Sequence, residues 1–124
     1  MNKRDKRIFQ KILKYCGQVI WTHDFFHVDK TLFFNEQDGI AYRNAIAMPI
    51  LQIGELAKLL TSELRDANPD IPWREIIRMR DVAAHHYDSW NYDDAWDTSR
   101  DDVPALAEKI RHIMEMDPGN AAES

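Results

Sequence analysis

Between Arg80 and Tyr87 the sequence Arg80-Asp-Val-Ala-Ala-His-His-Tyr87 brings polar chemistry into an otherwise apolar helix end. Cleaving RNA without a metal needs a base for the 2′-hydroxyl proton, a cation for the charge developing at phosphorus and an acid for the leaving oxygen. Histidine, with an ordinary pKa of about 6.5, suits the first and third tasks. Arginine suits the second, because its planar fork matches phosphate oxygens and stays charged. Arg80 and His85 are therefore the candidate catalytic pair, the alternative being that a lone histidine near a helix C-terminus steadies the helix dipole or packs in the core. Five positions apart, they point roughly 140° away from each other on an ideal helix. The helix must loosen near His85, or a substrate must bridge the two, before both reach one phosphate. One such segment offers a single clear base or acid, and a symmetric homodimer with two copies across a shared cleft would supply both. DNA lacks the 2′-hydroxyl and would be spared.

The neighbours of this pair leave alternatives open. Asp81 could pair with Arg80 or, one helical turn on, with His85, whose pKa it would raise. His86 is either a second proton carrier or a solvent-facing imidazole. Arg74 and Arg78 extend the positive charge as a weak RNA-binding patch or form a solvated helix face. Trp90 could stack on a base, whereas Trp21, Trp73 and Trp96 read as core or interface anchors. His23 and His27 stand one turn apart, but two imidazoles without a third ligand define no metal site, and none is assigned.

Several amphipathic elements must position these residues. Ile8, Ile12, Tyr15 and Val19 mark a first helix from Arg4 to about Thr22. The aromatic segment from Trp21 to Phe34 is expected to hold loops and a short helix capped by Asp29. From Asp38 to Arg65, Tyr42, Ile46, Ile50, Ile53, Ala57, Leu60 and Leu64 predict one long central helix, kinked at Pro49 unless packing straightens the defect. Pro72 and Glu75 suit the first turn of a helix ending near Ala84. Trp96, Ser99, Val103, Leu106, Ile110 and Ile113 mark the last helix, with a second kink at Pro104, and residues from Asp117 to Ser124 are expected to fray. The predicted architecture is an all-α antiparallel bundle of four main helices plus a short one, in a single domain over residues 1–124.

Composition agrees. The chain has 124 residues, only four glycines and one cysteine, Cys16, so no disulfide forms within it and a reducing cytoplasm is the expected setting. Gln10, Lys11 and Lys14 interrupt the apolar run that a signal peptide would need, and no window reaches the length of a membrane span. The formal charge of −5 means that any RNA contact must be local.

The segment Arg80, four residues, His85, one residue, Tyr87 resembles the signature of the HepT-like ribonuclease toxins of the HEPN superfamily. The resemblance extends in order through Tyr42-Arg-Asn44, Ile53-Gly-Glu-Leu-Ala-Lys58, Ile71-Pro-Trp-Arg-Glu-Ile76 and Asp101-Asp-Val-Pro104. It implies a HEPN-like helical homodimer that cleaves RNA with Arg80 and His85 and without a cofactor. It also implies a minimal nucleotidyltransferase antitoxin (MntA-like) as partner, which adenylylates Tyr87. Added phosphate charge and bulk two residues from His85 would obstruct RNA; alternatively Tyr87 is a plain packing aromatic. Glu55 either orients Arg80 from a neighbouring helix or serves helix packing. Asp81 departs from the family's commoner Asn, which puts the strength and pH optimum of activity in doubt. A noncatalytic nucleotide- or partner-binding module, or a structural dimerisation protein, is the competing expectation.

Overall fold

The computed structural model describes residues 1–118, all of whose regular structure is helical. The first helix, α1 (Lys3–Phe25), is capped by Asn2, whose Oδ1 accepts from Asp5 N at 2.7 Å. It outruns the expected end because its apolar stripe continues to His23. His27 N then donates to Asp24 O at 3.0 Å and Val28 N to His23 O at 2.8 Å, closing the last turn. His27 and Val28 adopt φ of 57° and 50°, the left-handed region that costs a β-branched residue such as Val28 most. Asp29 then caps α2 (Lys30–Phe34), as expected, by accepting from Leu32 N at 3.0 Å.

The buried Arg43 fixes the next loop. Its guanidinium donates to Phe33 O at 2.6 Å, Asn35 O at 2.8 Å and Glu36 O at 2.8 Å, and lies 4.3 Å above the Tyr92 ring. Three carbonyls and a ring face compensate the charge that burial takes from water. Arg43 belongs to α3 (Ile40–Leu59), which runs without a break through the buried Pro49.

The central helix is shorter than its periodicity predicts. It stops at Leu59, and Thr61 caps a separate α4 (Ser62–Ala67) by accepting from Leu64 N at 3.2 Å. The buried Asp5 explains the break: its carboxylate accepts from Thr61 N at 3.1 Å and Thr61 Oγ1 at 2.7 Å. Leu60 and Leu64 keep the apolar spacing across the break, so the pattern alone conceals it.

Next comes α5 (Trp73–His85), with Pro72 one residue before it. A short 3₁₀ turn, Tyr87–Ser89, leads to α6 (Tyr92–Asp97), capped by Asn91. A wide π turn, Thr98–Asp102, then joins α7 (Val103–Met116). Pro104 sits in the first turn of α7, where its missing N–H costs little, so the expected kink takes the form of the wide turn just before it. Asp117 is tied to the Met1 amino group at 3.1 Å, and the rest of the tail expected to fray lies, from residue 119, outside the described residues.

The core lies where α3 packs on α1 and α5 and α1 packs on α7: Phe9, Ile12 and Val19 against Tyr42, Ile46, Ile50 and Ile53, closed by Ile76, Trp96, Val103 and Ile110. Each such side chain contributes about 1.5–3 kcal/mol of burial. One polar chain crosses this core. Ser99 Oγ donates to Ala95 O at 2.7 Å, so it accepts from His23 Nε2 at 2.8 Å, and His23 Nδ1 accepts the Tyr42 hydroxyl at 2.5 Å. His23 is thereby held neutral, and burial, helped by Arg100, pushes its pKa down to about 4. Both ring nitrogens are occupied, so His23 and His27 form no ligand pair. No helix among the described residues is long and apolar enough to cross a membrane.

Candidate active site at the end of helix α5

Arg80 leaves α5 on the face packed against α3. Gly54 makes that approach feasible: a Cβ there would overlap Arg80 Cβ and crowd Ile76 O at 3.1 Å. A glycine inside a helix costs roughly 1 kcal/mol relative to alanine, and here it lets the two backbones close on the arginine. One residue on, Glu55 Oε1 forms an ion pair with Arg80 Nε. Of its two readings, the orienting one matches this contact. Asp81 Oδ1 accepts from Arg80 Nη1 at 3.0 Å, so Asp81 pairs with the arginine rather than with His85. The Asp81 hydrogen bond, with the Glu55 charge beside it, raises the Arg80 pKa above its already high ordinary value.

His85 is the last residue of α5, and the chain leaves helical geometry at His86, with φ −132° and ψ 30°. Within the helix, His85 Nε2 lies 3.4 Å from Arg80 Nη1, a gap spanned by the reach of the side chains. The expected 140° separation is overcome by two side chains reaching toward each other where the helix ends. A guanidinium can only donate, so at this contact Nε2 takes the accepting side. An imidazole nitrogen with a free lone pair is what a general base offers. His85 is exposed, and the Arg80 side chain beside it keeps 21% of its surface accessible.

Tyr87 stands beside them at the start of the 3₁₀ turn, 37% exposed, with its hydroxyl donating to Asn44 Oδ1 on α3. It is not a core aromatic. Partial burial raises its pKa, and its ring lies 6.0 Å from that of Trp90. Two hollows meet at this residue. One, of about 430 Å³, is lined by residues 84–89, including His85 and His86; the other, of about 390 Å³, by Asn44, Ala47, Met48, Leu51, Ala83 and Tyr87.

The remaining candidates do not converge on the pair. Arg78 shares a hollow with Glu75, His86, Trp90 and Asp94, and Arg74 borders another with Arg65 and Trp73. Two positions from Arg80, Arg78 projects from nearly the opposite side of α5, so the three arginines form no single patch. His86 faces solvent. Among the tryptophans expected as anchors, Trp96 is buried and Trp73 donates to Arg65 O at 3.2 Å and Asn68 O at 3.1 Å, but Trp21 is 63% exposed. Sequence reasoning missed Asn44 as the partner of Tyr87 and Gly54 as the seat of Arg80. A glycine in the middle of an amphipathic helix was a signal for the second; nothing local marked the first.

The comparisons with known proteins give the chain a family. The Ribonuclease HepT-like family model matches residues 29–113, which include Asn44, Gly54, Glu55, Arg80, His85 and Tyr87. Two Methanocaldococcus jannaschii proteins that carry provisional RNase names are similar over nearly the whole chain. One is 32% identical over 120 residues, 92% of this chain and 91% of the relative. The other is 30% identical over 116 residues, 92% of this chain and 95% of the relative. The probable ribonuclease HepT of Thermococcus cleftensis is 36% identical over 61 residues, 49% of this chain and 56% of its own. No solved structure matches. With the family match spanning most of the chain and relatives aligned almost end to end, this protein belongs to the HepT-like ribonuclease family.

Proposed function

We propose that this chain is the toxin of a toxin–antitoxin pair, a cytoplasmic endoribonuclease that cleaves RNA with Arg80 and His85 and without a metal cofactor. The observation that carries the reading is the approach of His85 Nε2 to Arg80 Nη1 at an exposed helix end. RNA phosphate entering there takes the guanidinium from His85, and the freed Nε2 accepts the 2′-hydroxyl proton. The 2′ oxygen then attacks the adjacent phosphorus while Arg80 balances the added negative charge. The bond to the 5′ oxygen breaks, leaving a 2′,3′-cyclic phosphate and a 5′-hydroxyl that takes its proton from a second imidazole. A second copy of the chain supplies that imidazole in this account. Met48, 60% exposed beside Leu51 and Ala83 in the groove next to Tyr87, gives the pairing an apolar surface.

Control follows from the position of Tyr87. A nucleotidyltransferase partner that joins a nucleotide to its hydroxyl displaces the Asn44 hydrogen bond and places phosphate and base across both hollows. Blocking and charge repulsion then act together on the substrate.

The test is cleavage of a defined RNA in excess chelator by the wild type, Arg80→Ala and His85→Ala, with folding followed by circular dichroism. The account predicts cutting by the wild type and a loss of at least about 100-fold in each folded variant. A folded wild type that cuts no RNA yet binds the nucleotidyltransferase tightly would replace the ribonuclease with a noncatalytic companion.

A further inference from the structure

One surface of the molecule takes no part in the site just described. Lys3, Arg7, Lys11, Lys14, Gln18, Trp21 and Phe25 recur at steps of three and four along α1, so they share one face, and all are exposed. On this helix Lys3, Arg4, Lys6, Arg7, Lys11 and Lys14 stand against only Asp5 and Asp24, in a chain whose formal charge is −5. Asp5 is buried and committed to Thr61. Among the described residues no carboxylate pairs with Lys3, Arg7, Lys11 or Lys14.

At the far end of the stripe the charge gives way to two stacked rings. Trp21 and Phe25 are 63% and 60% exposed, with centroids 5.2 Å apart and planes 24° from parallel. They are braced from beneath. Phe25 meets the edge of Phe26 at 5.1 Å, and Phe26 stacks on the buried Tyr42 at 4.4 Å. Large aromatic faces braced in water, in line with cations that no carboxylate neutralises, although Lys14 Nζ lies 5.5 Å above the Tyr15 ring, match a strand that carries phosphates and bases in alternation.

We propose that the outward face of α1 binds single-stranded RNA, with Lys3, Arg7, Lys11 and Lys14 following the phosphates and the Trp21–Phe25 stack receiving a base. The choice of RNA as polyanion rests on the ribonuclease reading. A helix lying on a membrane needs its apolar face free, whereas Ile8, Phe9, Ile12, Cys16 and Val19 of α1 are sealed in the core. Duplex RNA keeps its base faces stacked inside and gives the rings nothing to cover. Because α3 packs against both α1 and α5, the stripe lies apart from Arg80 and His85 and holds substrate without touching the reacting phosphate. Local charge here also accounts for RNA binding by an acidic protein.

The experiment uses full-length protein in the His85→Ala background, which keeps the probe intact, and a fluorescein-labelled twenty-nucleotide polyuridylate followed by anisotropy. Trp21→Ala should weaken binding about tenfold. The double variant Lys11→Ala/Lys14→Ala should weaken it and lower the slope of log affinity against log salt by about 1.4, close to 0.7 per cation removed. With His85 restored, both sets of changes should raise KM for long RNA and leave kcat and the circular dichroism spectrum unchanged. Affinity and salt slope equal to those of the parent would overturn the proposal. So would variants that instead abolish binding to phosphatidylserine vesicles or change only the oligomeric state. The two readings fail separately: normal cleavage by the stripe variants sinks the binding surface alone, and stripe-dependent binding without cleavage by the wild type sinks the ribonuclease alone.

Discussion

At the scale of residues, the site is an arginine held between two carboxylates and facing a histidine. Glu55 takes the Nε edge and Asp81 takes Nη1, so the two acids act differently. Glu55 reaches from α3 and sets the orientation of the fork. Asp81, on the arginine's own helix and exposed, competes for the nitrogen that a phosphate oxygen needs. Asp81→Asn should therefore raise kcat/KM about fivefold, the scale of one exposed charge contact. Steady-state cleavage of a labelled RNA reads this directly, and an unchanged or lower kcat/KM would mean that Asp81 helps rather than hinders. Much of this site is legible in the sequence, because Arg80, His85 and Tyr87 lie within eight positions and their chemistry is local. Asn44 and Gly54 were not, since their roles depend on α3 packing on α5: one is 43 positions from its partner, and the other acts through the side chain it lacks.

Among the elements, the helices that hold the site follow from apolar spacing and capping residues. The ends of α1, α2 and α5 fall within a few positions of expectation because Asp29 and Pro72 are signals in the local sequence. The central helix misled for a physical reason. Its break at Leu60 depends on Asp5, whose carboxylate satisfies the N–H and hydroxyl of Thr61, 56 positions away. Asp5→Ala should destabilise the fold by about 2–3 kcal/mol, because a buried amide loses a charged acceptor. Urea denaturation should show a lower midpoint with an unchanged slope. A midpoint within error of the wild type would make the α1–α4 clasp incidental. The π turn before Pro104 was equally hidden: the proline announced a disturbance, but only the packed structure shows that Ser99, in that turn, meets His23.

For the molecule as a whole, the all-helical bundle was readable from scarce glycine and repeated amphipathic periods, whereas the distribution of surface charge over three dimensions was not. The buried His23–Tyr42–Ser99 chain ties α1, α3 and the π turn into one cooperative unit, with a consequence for pH. His23 stays neutral in the folded protein down to about 4, while in the unfolded chain it takes up a proton near 6.5. The unfolded state therefore binds more protons between these values. Stability from this group is complete above about pH 6.5 and is lost as the pH falls toward 4, at up to about 1.4 kcal/mol per unit. Urea midpoints measured from pH 7 to pH 4.5 should fall in the wild type and flatten in that window in His23→Gln; parallel curves would remove His23 as the cause. The central claim concerns what the protein does to RNA, and the chemistry of the cut ends tests it most directly. Mass spectrometry of RNA digested in excess chelator should find 2′,3′-cyclic phosphate and 5′-hydroxyl ends with the wild type, and neither with folded His85→Ala. Ends bearing a 3′-hydroxyl and a 5′-phosphate, or the same products in equal yield from the variant, would contradict catalysis by Arg80 and His85.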